Sequence, residues 1–404
     1  MAHIVTRCIA GAGGVVVRGA IGLDPERYAS ILVTGTSTGP LLDEARRHGV
    51  EVCVLESLRS PISPRDDVHA LEGLRRLLRE RQIDVVHTHS AKAGALGRLA
   101  AYSVGVERIV HTLHGFPFHD FQSWAPHTAY VAIERRLSRI TDAYLAVGTG
   151  VAVEALRRGI ALPEQLHTIG PAVEPPTVYL SAQTRTRARA ILDLPEDALV
   201  VGTVGRLDYQ KAPEHLLQAM QRLERPAILV WVGGGELADQ AARTAAALGI
   251  SDRVRLLGNR DDVPELLPAF DVFAMASRYE GLPCAIVEAQ QCGVPVVATA
   301  VNAVPDVVIP GETGLLVPPA RPDLLGRALD YALAHPDEAR RWAVAARAHL
   351  GSRYDPATLC QVLDSVYSGG STTSGESSTS NRSTGATGRS RRGRSADRRA
   401  VALS

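Results

Sequence analysis

Short apolar runs rich in β-branched residues alternate with amphipathic stretches along most of the chain. In the first half, the runs with the length and composition of strands span residues 3–9, 29–35, 50–56, 84–90, 108–115 and 143–149. Residues 66–82, between the third and fourth runs, keep apolar side chains at a helical period. This alternation of strands with helices indicates a parallel sheet covered by helices on both faces.

The same pattern restarts in the second half. It predicts strands at 199–205, 227–233, 253–258, 271–276 and 294–299, with helices near 211–223, 236–248 and 283–292. Between the halves, GPAVEPPTVYL is proline-rich and aperiodic, as is typical of a linker. We therefore predict an α/β protein with two Rossmann-like, doubly wound parallel-sheet domains, residues 1–175 and 176–355, followed by a helix over 356–367. Their strands should end at a central cleft, where open α/β sheets bind ligands.

Composition narrows the class of protein without changing this picture. Of the 404 residues, 45% are hydrophobic and 22% are charged, which is ordinary for a globular protein. No apolar stretch reaches the roughly 20 residues that a membrane helix needs, and the start lacks the pattern of a secretory signal. The five cysteines are odd in number and scattered, which favours reduced thiols. We predict a cytoplasmic location.

The last segment of the chain differs in composition from the rest. Residues 368–404 carry seven arginines and two acidic residues among serine, threonine and glycine, whereas the whole chain has a net charge of +1. Such a segment has too few large apolar groups to offset the entropy lost on ordering, so we predict a disordered tail. Its charge favours attraction to anionic lipid headgroups or an acidic polymer, and a merely solvated terminus is the alternative.

The first glycine cluster, IAGAGGVVVRG, follows a predicted strand. Gly11 and Gly13 supply G-x-G, but Val16 stands where a dinucleotide-binding site has its third glycine, and the next strand lacks the ribose-binding acid. We reject a dinucleotide site. We predict instead a flexible loop in which Gly13 and Gly14 let the backbone approach a phosphate or sugar, the alternative being a structural turn.

Histidines crowd the ends of two predicted strands, His87 and His89 in VHTHSAKAG and His111, His114 and His119 in VHTLHGFPFH. Strand alternation sends His87 and His89 to one face, but neither motif holds a carboxylate to complete a hydrolytic metal site. We predict no bound metal. His114 is the candidate for hydrogen bonding a substrate hydroxyl or transferring a proton, whereas the others are more typical of core histidines.

Two cations lie close together in VGTVGRLDYQK. Arg206 follows a predicted strand and Lys211 precedes the next helix, so both side chains and the helix N-terminal amides can converge on one diphosphate. There they would stabilise negative charge developing on a leaving group. Taken singly, each is more typical of a surface cation.

Two carboxylates flank a turn in SRYEGLPCAIVEAQQCG. Glu280 lies in the turn, and Glu288 lies eight residues later on the following helix. This spacing rotates the second side chain by only about 80° and lets both address one ligand at separate points. The arrangement favours hydrogen bonding to sugar hydroxyls over a shared proton, and two solvent-facing acids are the alternative.

These motifs occur together in a known order. Between residues 3 and 350 the chain resembles retaining glycosyltransferases of family 4, which have the GT-B fold. The matching segments are HTLHG, GRLDYQK, WVGGGE, LGN and YEGLPCAIVEAQQCGVPVVAT. GAGGVVVRGA and HTHSAKAGALGRLAA are similar to the branch associated with bacterial surface or capsular polysaccharide assembly. The chain departs from the family pattern at Asn302 and Ala303, where many members have glycines, and at Asp306, where many have Glu.

The resemblance implies a set of site residues. The catalytic set is His114, which reaches toward the transferred sugar, Glu280 on the sugar, and Arg206 and Lys211 on the diphosphate. Glu288 would bond the ribose, and the base would sit near Gly258 and Asn259. The full donor-binding set is Gly13, Gly14, Arg206, Lys211, Gly258, Asn259, Glu280, Gly281, Leu282 and Glu288. The family generally needs no metal, and no cofactor is implied.

The function expected from this sequence is transfer of a sugar from a nucleotide diphosphate donor to an acceptor hydroxyl with retention of configuration. The expected partners are the nucleotide sugar, an acceptor glycan or lipid-linked glycan, and an anionic membrane surface that would place the enzyme at the inner face of the plasma membrane. No nucleic acid is expected. A nucleotide-sugar epimerase of the same fold and a non-catalytic nucleotide-sugar-binding module are the alternatives.

Overall fold

The structure is a computed structural model that describes residues 1–115, 124–170, 172–281 and 283–369. Leu282, His119 and the segment from residue 370 to the end lie outside the described residues. The disordered tail predicted over 368–404 therefore stays a prediction, as does the role of Leu282.

Within the described residues, thirteen strands form two sheets in which every pair of neighbouring strands is parallel. The first sheet has seven strands in the order β3-β2-β1-β4-β5-β6-β7, and the second has six in the order β10-β9-β8-β11-β12-β13. Their bounds are β1 Ala2–Val5, β2 Ile31–Thr34, β3 Glu51–Val54, β4 Val85–His89, β5 Arg108–Leu113, β6 Ala143–Val147, β7 Leu166–Ile169, β8 Leu199–Val204, β9 Ala227–Val232, β10 Val254–Leu256, β11 Val272–Met275, β12 Val296–Thr299 and β13 Leu315–Val317.

In the part of the chain that the structure describes, fifteen α-helices connect these strands or follow them. They are α1 Ala10–Gly22, α2 Pro40–Arg47, α3 Pro64–Glu80, α4 Ala91–Val104, α5 Trp124–Leu137, α6 Thr149–Arg157, α7 Ala182–Ile191, α8 Pro213–Gln221, α9 Ala238–Ala247, α10 Val263–Leu266, α11 Cys284–Cys292, α12 Val304–Val307, α13 Pro322–Ala334, α14 Pro336–Leu350 and α15 Pro356–Tyr367. The two doubly wound parallel sheets predicted from the sequence are confirmed.

Both faces of the second sheet are buried, because neighbouring residues of one strand belong to different apolar cores. Val200 of β8 packs in one core with Ile286 of α11, and Val201 packs in the other with Leu216 of α8. This is why the strands are continuous apolar runs rather than alternating ones. The side chains that reach a ligand therefore lie at the strand ends and not along the strands.

The glycine cluster after β1 forms the helix α1, so the predicted flexible loop is wrong. Glycines make the helix possible because they let neighbouring elements approach closely. A Cβ on Gly13 would come within 2.8 Å of the Cys8 carbonyl carbon, and one on Gly19 within 2.9 Å of Leu363 on α15. Packing against α15 and α2 therefore overrides the low helix propensity of the glycines.

The last described helix, α15, returns to the first half of the chain. Leu359, Leu363 and Val366 pack in one core with Val110 of β5, and the Tyr28 hydroxyl donates to Asp364 at 2.7 Å. Among the described helices, none combines the length and the apolar character that crossing a membrane requires.

Candidate active site

A cavity of about 520 Å³ lies between the carboxyl ends of the two sheets. Its volume is within the range of small-molecule binding sites. Six of the predicted site residues line it, namely His114, Arg206, Lys211, Glu280, Gly281 and Glu288. The first half of the chain also contributes Arg7, Ile9, Gly11, Ala12, Val15 and Val147.

Glu280 is the best anchored of these residues. It is 5% exposed, and its Oε1 accepts hydrogen bonds from Lys211 Nζ and Ser277 Oγ, both at 2.6 Å. Its Oε2 accepts from Gln210 Nε2 at 3.0 Å. A buried carboxylate needs such partners, because its desolvation is otherwise very costly. Glu280 is thus a fixed acceptor, with Lys211 beside it.

Arg206 reaches the cavity from the loop after β8 and pairs with Asp208 at 2.7 Å. Its side chain is 59% exposed, whereas that of Lys211 is 16% exposed. Asp208 also accepts from the Lys211 backbone N–H at 3.1 Å. One short carboxylate therefore holds the loop that presents both cations to the cavity.

The turn at Gly281 brings the two halves of the chain into contact. A Cβ on Gly281 would lie 2.0 Å from the His114 carbonyl oxygen. Only glycine fits this close approach. The turn therefore places Glu280 and the start of α11 directly opposite His114.

Glu288 and Cys284 lie on the first two turns of α11 and line the cavity. Burial raises the pKa of Glu288, and the nearby Arg18 partly opposes that rise. Burial, assisted by the charge of Glu288, raises the pKa of the Cys284 thiol to about 12. Cys284 is therefore protonated at neutral pH and is not a nucleophile.

The structure does not bring every predicted residue to the cavity wall. Gly13 and Gly14 are buried in α1, while Gly11 and Ala12 of the same helix line the cavity. Gly258 and Asn259 lie on the loop after β10 and are absent from the wall. That loop contacts the one after β9, where Asn259 Oδ1 accepts from the Gly234 N–H at 2.8 Å.

Three histidines form a hydrogen-bonded chain that ends at the cavity. His3 Nδ1 lies 3.3 Å from His89 Nε2, and His89 Nδ1 lies 3.0 Å from His114 Nε2. The ring centroids of His87 and His89 are 4.1 Å apart, as expected from their predicted position on one face. Sequence reasoning missed His3, because only the strand order places β1 next to β4.

His3, His87 and His89 also hold ring nitrogens within 4.8 Å of one another, as a metal site would require. Both nitrogens of His87 are bonded, however, to Tyr367 Oη at 2.5 Å and to Thr112 Oγ1 at 2.6 Å. A metal ion would have to replace those bonds. This cluster is therefore better described as a hydrogen-bonded network than as a ligand set.

Two positions that depart from the family pattern also make specific contacts. Asn302 Oδ1 accepts from the Glu280 backbone N–H at 2.9 Å. Asp306 Oδ2 accepts from the Thr149 N–H at 2.6 Å, which links α12 to the first turn of α6. With Gln210 and Ser277, these partners of the site were not foreseen. The available signals were that Gln210 adjoins Lys211 and that Ser277 lies three residues before Glu280.

Comparison with known proteins assigns the family. Residues 184–349 match glycosyl transferases group 1, and residues 9–175 match glycosyltransferase family 4. A relative from Escherichia coli, UDP-Gal:alpha-D-GlcNAc-diphosphoundecaprenol alpha-1,3-galactosyltransferase, is 31% identical over 69% of this chain and 73% of its own length. The chain belongs to glycosyltransferase family 4. It is a retaining glycosyltransferase that uses a nucleotide-sugar donor.

Other members of glycosyltransferase family 4 are similar across most of this chain. D-inositol 3-phosphate glycosyltransferase from Xylanimonas cellulosilytica is 33% identical over 67% of this chain and 68% of its own length. The crystal structure of HepE from Anabaena in complex with UDP-glucose has a TM-score of 0.79 at 21% identity, covering 91% of this chain and 99% of that one. That of WaaG, involved in lipopolysaccharide biosynthesis, has a TM-score of 0.73 at 17% identity, covering 91% and 100%. These structures share the GT-B fold with this family 4 enzyme.

Proposed function

We propose that this enzyme transfers a hexose from a UDP-hexose to a hydroxyl of a sugar carried on a lipid diphosphate, in the assembly of a cell-surface polysaccharide. The observation that carries the proposal is the cluster in which Lys211, Ser277 and Gln210 hold Glu280 at the cavity. The E. coli relative, whose name specifies a UDP-Gal donor and a diphosphoundecaprenol-linked acceptor, supports the substrate class.

The side chains that the second half of the chain contributes to the cavity are each assigned to one part of the donor. Lys211 and Arg206 bind the diphosphate as point charge and guanidinium fork, respectively. Glu280 and the Gly281 backbone bind the sugar, with Leu282 beside them in sequence. Glu288 bonds the ribose hydroxyls.

The other donor contacts are proposed from their position in the chain. The base lies toward Gly258 and Asn259, beyond the cavity wall. Gly13 and Gly14 act through α1, whose exposed Gly11 and Ala12 face the donor phosphates.

Retention of the anomeric configuration requires the acceptor to attack from the same face of the sugar from which the leaving group departs. Glu280 does not act as a nucleophile, because three donors already occupy its oxygens. The acceptor oxygen forms its bond to the anomeric carbon as the bond to the donor phosphate oxygen breaks. That phosphate oxygen takes the acceptor proton, and Lys211 and Arg206 stabilise the charge on the departing diphosphate.

The acceptor binds on the side of the cavity that the first half of the chain forms. Arg7 and Ile9 are exposed where β1 leads into α1, and both line the cavity. A cation beside an apolar side chain suits a lipid diphosphate. We place the enzyme at the cytoplasmic face of the membrane, held there in part by the arginines of residues 368–404.

The membrane part of the proposal is tested by co-sedimentation with vesicles. The full chain should bind vesicles that contain anionic lipid more tightly than purely zwitterionic ones. Replacing the seven arginines of residues 368–404 with glutamine should remove that preference. Equal binding by both proteins would contradict a role for the tail and leave the transferase assignment intact.

The central experiment is mass spectrometry of products formed from a panel of nucleotide sugars and a synthetic lipid diphosphate bearing one sugar. One added hexose from a UDP donor, with none from GDP or ADP donors, is the expected result. An epimerised donor without acceptor elongation would favour an epimerase. Donor binding without turnover across many acceptors would favour a binding module.

A further inference from the structure

The histidine chain joins three adjacent strands of the first sheet to the cavity. His3 lies in β1, His89 ends β4 and His114 follows β5, and these strands are neighbours in the order β1-β4-β5. His3 and His89 are each 1% exposed. Of the three, only His114 has an expected role, toward the transferred sugar, which leaves the other two without a function.

Each of the three imidazoles is neutral at physiological pH. Burial lowers the pKa of His114 to about 4 and that of His3 to about 3, and it lowers the pKa of His89 well below its usual range. A neutral imidazole carries one N–H, so one ring nitrogen donates and the other accepts. The tautomer of each ring therefore depends on that of its neighbour.

Only two arrangements satisfy both hydrogen bonds. In one, His3 Nδ1–H donates to His89 Nε2 and His89 Nδ1–H donates to His114 Nε2. In the other, both bonds run in the opposite direction. One ring cannot change its tautomer alone, because one of the two hydrogen bonds would then have an N–H on both sides or a lone pair on both sides.

The inner end of the chain distinguishes the two arrangements. His3 Nε2 is buried, and no atom of the described residues bonds to it. In the second arrangement that nitrogen would carry a proton with no acceptor, whereas in the first it holds only a lone pair. Orphaned buried N–H groups are the rarer of the two in native proteins.

We propose that His89, with His3 bonded behind it, is a positioning residue that holds His114 in the tautomer with its proton on Nδ1. Nε2 of His114 accepts from His89, so Nδ1–H is the group left for a ligand in the cavity. His114 is then a hydrogen-bond donor to a hydroxyl of the transferred sugar. This inference rests on the proposed function for the identity of that sugar, but not for the tautomer.

The tautomer is measured directly by long-range proton–nitrogen NMR of the full chain labelled with 15N-histidine. The His114 signals are assigned by their loss in His114→Gln. Wild type should show Nδ1 protonated and Nε2 unprotonated. A wild-type His114 with its proton on Nε2 would overturn the proposal without any variant being made.

Two substitutions at one position separate hydrogen bonding from packing. In His89→Asn the side-chain amide can still donate to His114 Nε2, and the Nδ1–H tautomer should persist. In His89→Leu that donor is lost, and His114 should populate both tautomers. His89→Phe removes the same donor and provides the test where His89→Leu fails to fold. In His3→Leu the Nδ1–H tautomer of His114 should persist, because an N–H on His89 Nε2 would then be buried without an acceptor.

Turnover of the donor supplies the second readout. His89→Leu should lower kcat/KM about tenfold, the effect of one misdirected hydrogen bond, and His89→Asn should stay within about threefold of wild type. His111→Gln is the matched control, because His111 is equally buried on β5 but bonds Thr88 Oγ1 at 2.8 Å rather than His114. It should leave the His114 tautomer unchanged.

The outcomes separate this inference from the proposed function. A wild-type spectrum and wild-type turnover in His89→Leu would contradict the inference and leave the proposed transferase function intact. The expected tautomers without hexose transfer from any UDP donor would sink the proposed function while the inference stands.

Discussion

The two faces of the cavity carry opposite kinds of polar cluster. On the second sheet's side, Lys211 and Glu280 form an ion pair at 2.6 Å, and Arg206 pairs with Asp208 at 2.7 Å. On the first sheet's side, His114 and the imidazoles behind it are neutral. In the proposed binding mode, charge thus stands where the donor's diphosphate would bind and a neutral donor where a sugar hydroxyl would bind, although Arg7 of the first half also lines the cavity.

The first half of the chain does hold a strong ion pair, but away from the cavity. Arg98 of α4 and Glu134 of α5 are 0% and 1% exposed and meet at 2.8 Å. Neither lines the cavity wall. The contrast teaches that burial of an ion pair does not mark a functional site; placement at the cavity does.

Removing the cation at the cavity should have the largest effect. Lys211→Ala leaves the buried Glu280 carboxylate without its counter-ion and removes a charge that, in the proposed mechanism, stabilises the leaving group. We expect kcat to fall by about 100- to 1000-fold. The free energy of unfolding should fall by about 3 kcal/mol, measured by urea denaturation.

A double variant separates the two effects of that change. Lys211→Met combined with Glu280→Gln removes both charges, so most of the lost stability should return while turnover stays low. Turnover near the wild-type value in either variant would show that the ion pair belongs to the fold alone.

Breaking the remote pair should change stability only. Glu134→Ala leaves Arg98 buried and unpaired and should lower the free energy of unfolding by about 3–5 kcal/mol. At a temperature where the variant is folded, its KM for the donor should match wild type. A donor KM raised along with the lost stability would mean that this pair is coupled to the cavity.

Acidification should lower the free energy of unfolding because of the buried neutral histidines. Below a pH of about 6.5, His3 binds a proton in the unfolded chain but not in the folded protein, because burial lowers its pKa to about 3. Each such histidine should reduce the free energy of unfolding by about 1.4 kcal/mol per pH unit as the pH falls from 6.5 toward 4.

The histidine contribution is measured by comparing urea denaturation of wild type and His3→Phe at pH 7 and pH 5. The loss of stability between these values should be smaller in the variant. His48 is exposed, and His48→Asn should stay within about 0.5 kcal/mol of wild type at both. Parallel losses in wild type and His3→Phe would contradict a neutral, buried His3.

The architecture could be predicted from sequence because long apolar runs and helical periods are local signals. Among the described residues, eleven of the thirteen strands lie within predicted runs or overlap them. β7 and β13 were missed, although the equally short edge strands β3 and β10 were predicted. The glycine cluster before Gly22 was misjudged because tertiary packing decided its conformation. Arg206 and Glu280 both follow predicted strands, and this position was enough to predict that they line the cavity.

Several partners of the site could not be predicted, because they come from distant parts of the chain. Ser277 lies only three residues before Glu280, but Gln210 reaches Glu280 only when β8 and β11 are neighbours. His3 reaches His89 only when β1 and β4 are neighbours. Neither strand order can be read from a residue pattern. The roles of the individual site residues stay predictions.

The smallest expected effect concerns Asn302, which joins the charged face to the first half of the chain. Its Oδ1 accepts from the Glu280 N–H, its φ is 46°, and its carbonyl oxygen would lie 2.5 Å from a Cβ on Gly150. Asn302→Gly removes one hydrogen bond but suits the positive φ, so the donor KM should rise only about fivefold.

Asn302→Ala is the matched variant, because it removes the same hydrogen bond and adds strain at positive φ. It should raise the donor KM similarly but lower the free energy of unfolding by about 1 kcal/mol more than Asn302→Gly. Equal donor KM in wild type and Asn302→Gly would mean that the three side-chain donors to Glu280 suffice to fix the carboxylate. The charged face would then be independent of the neutral one.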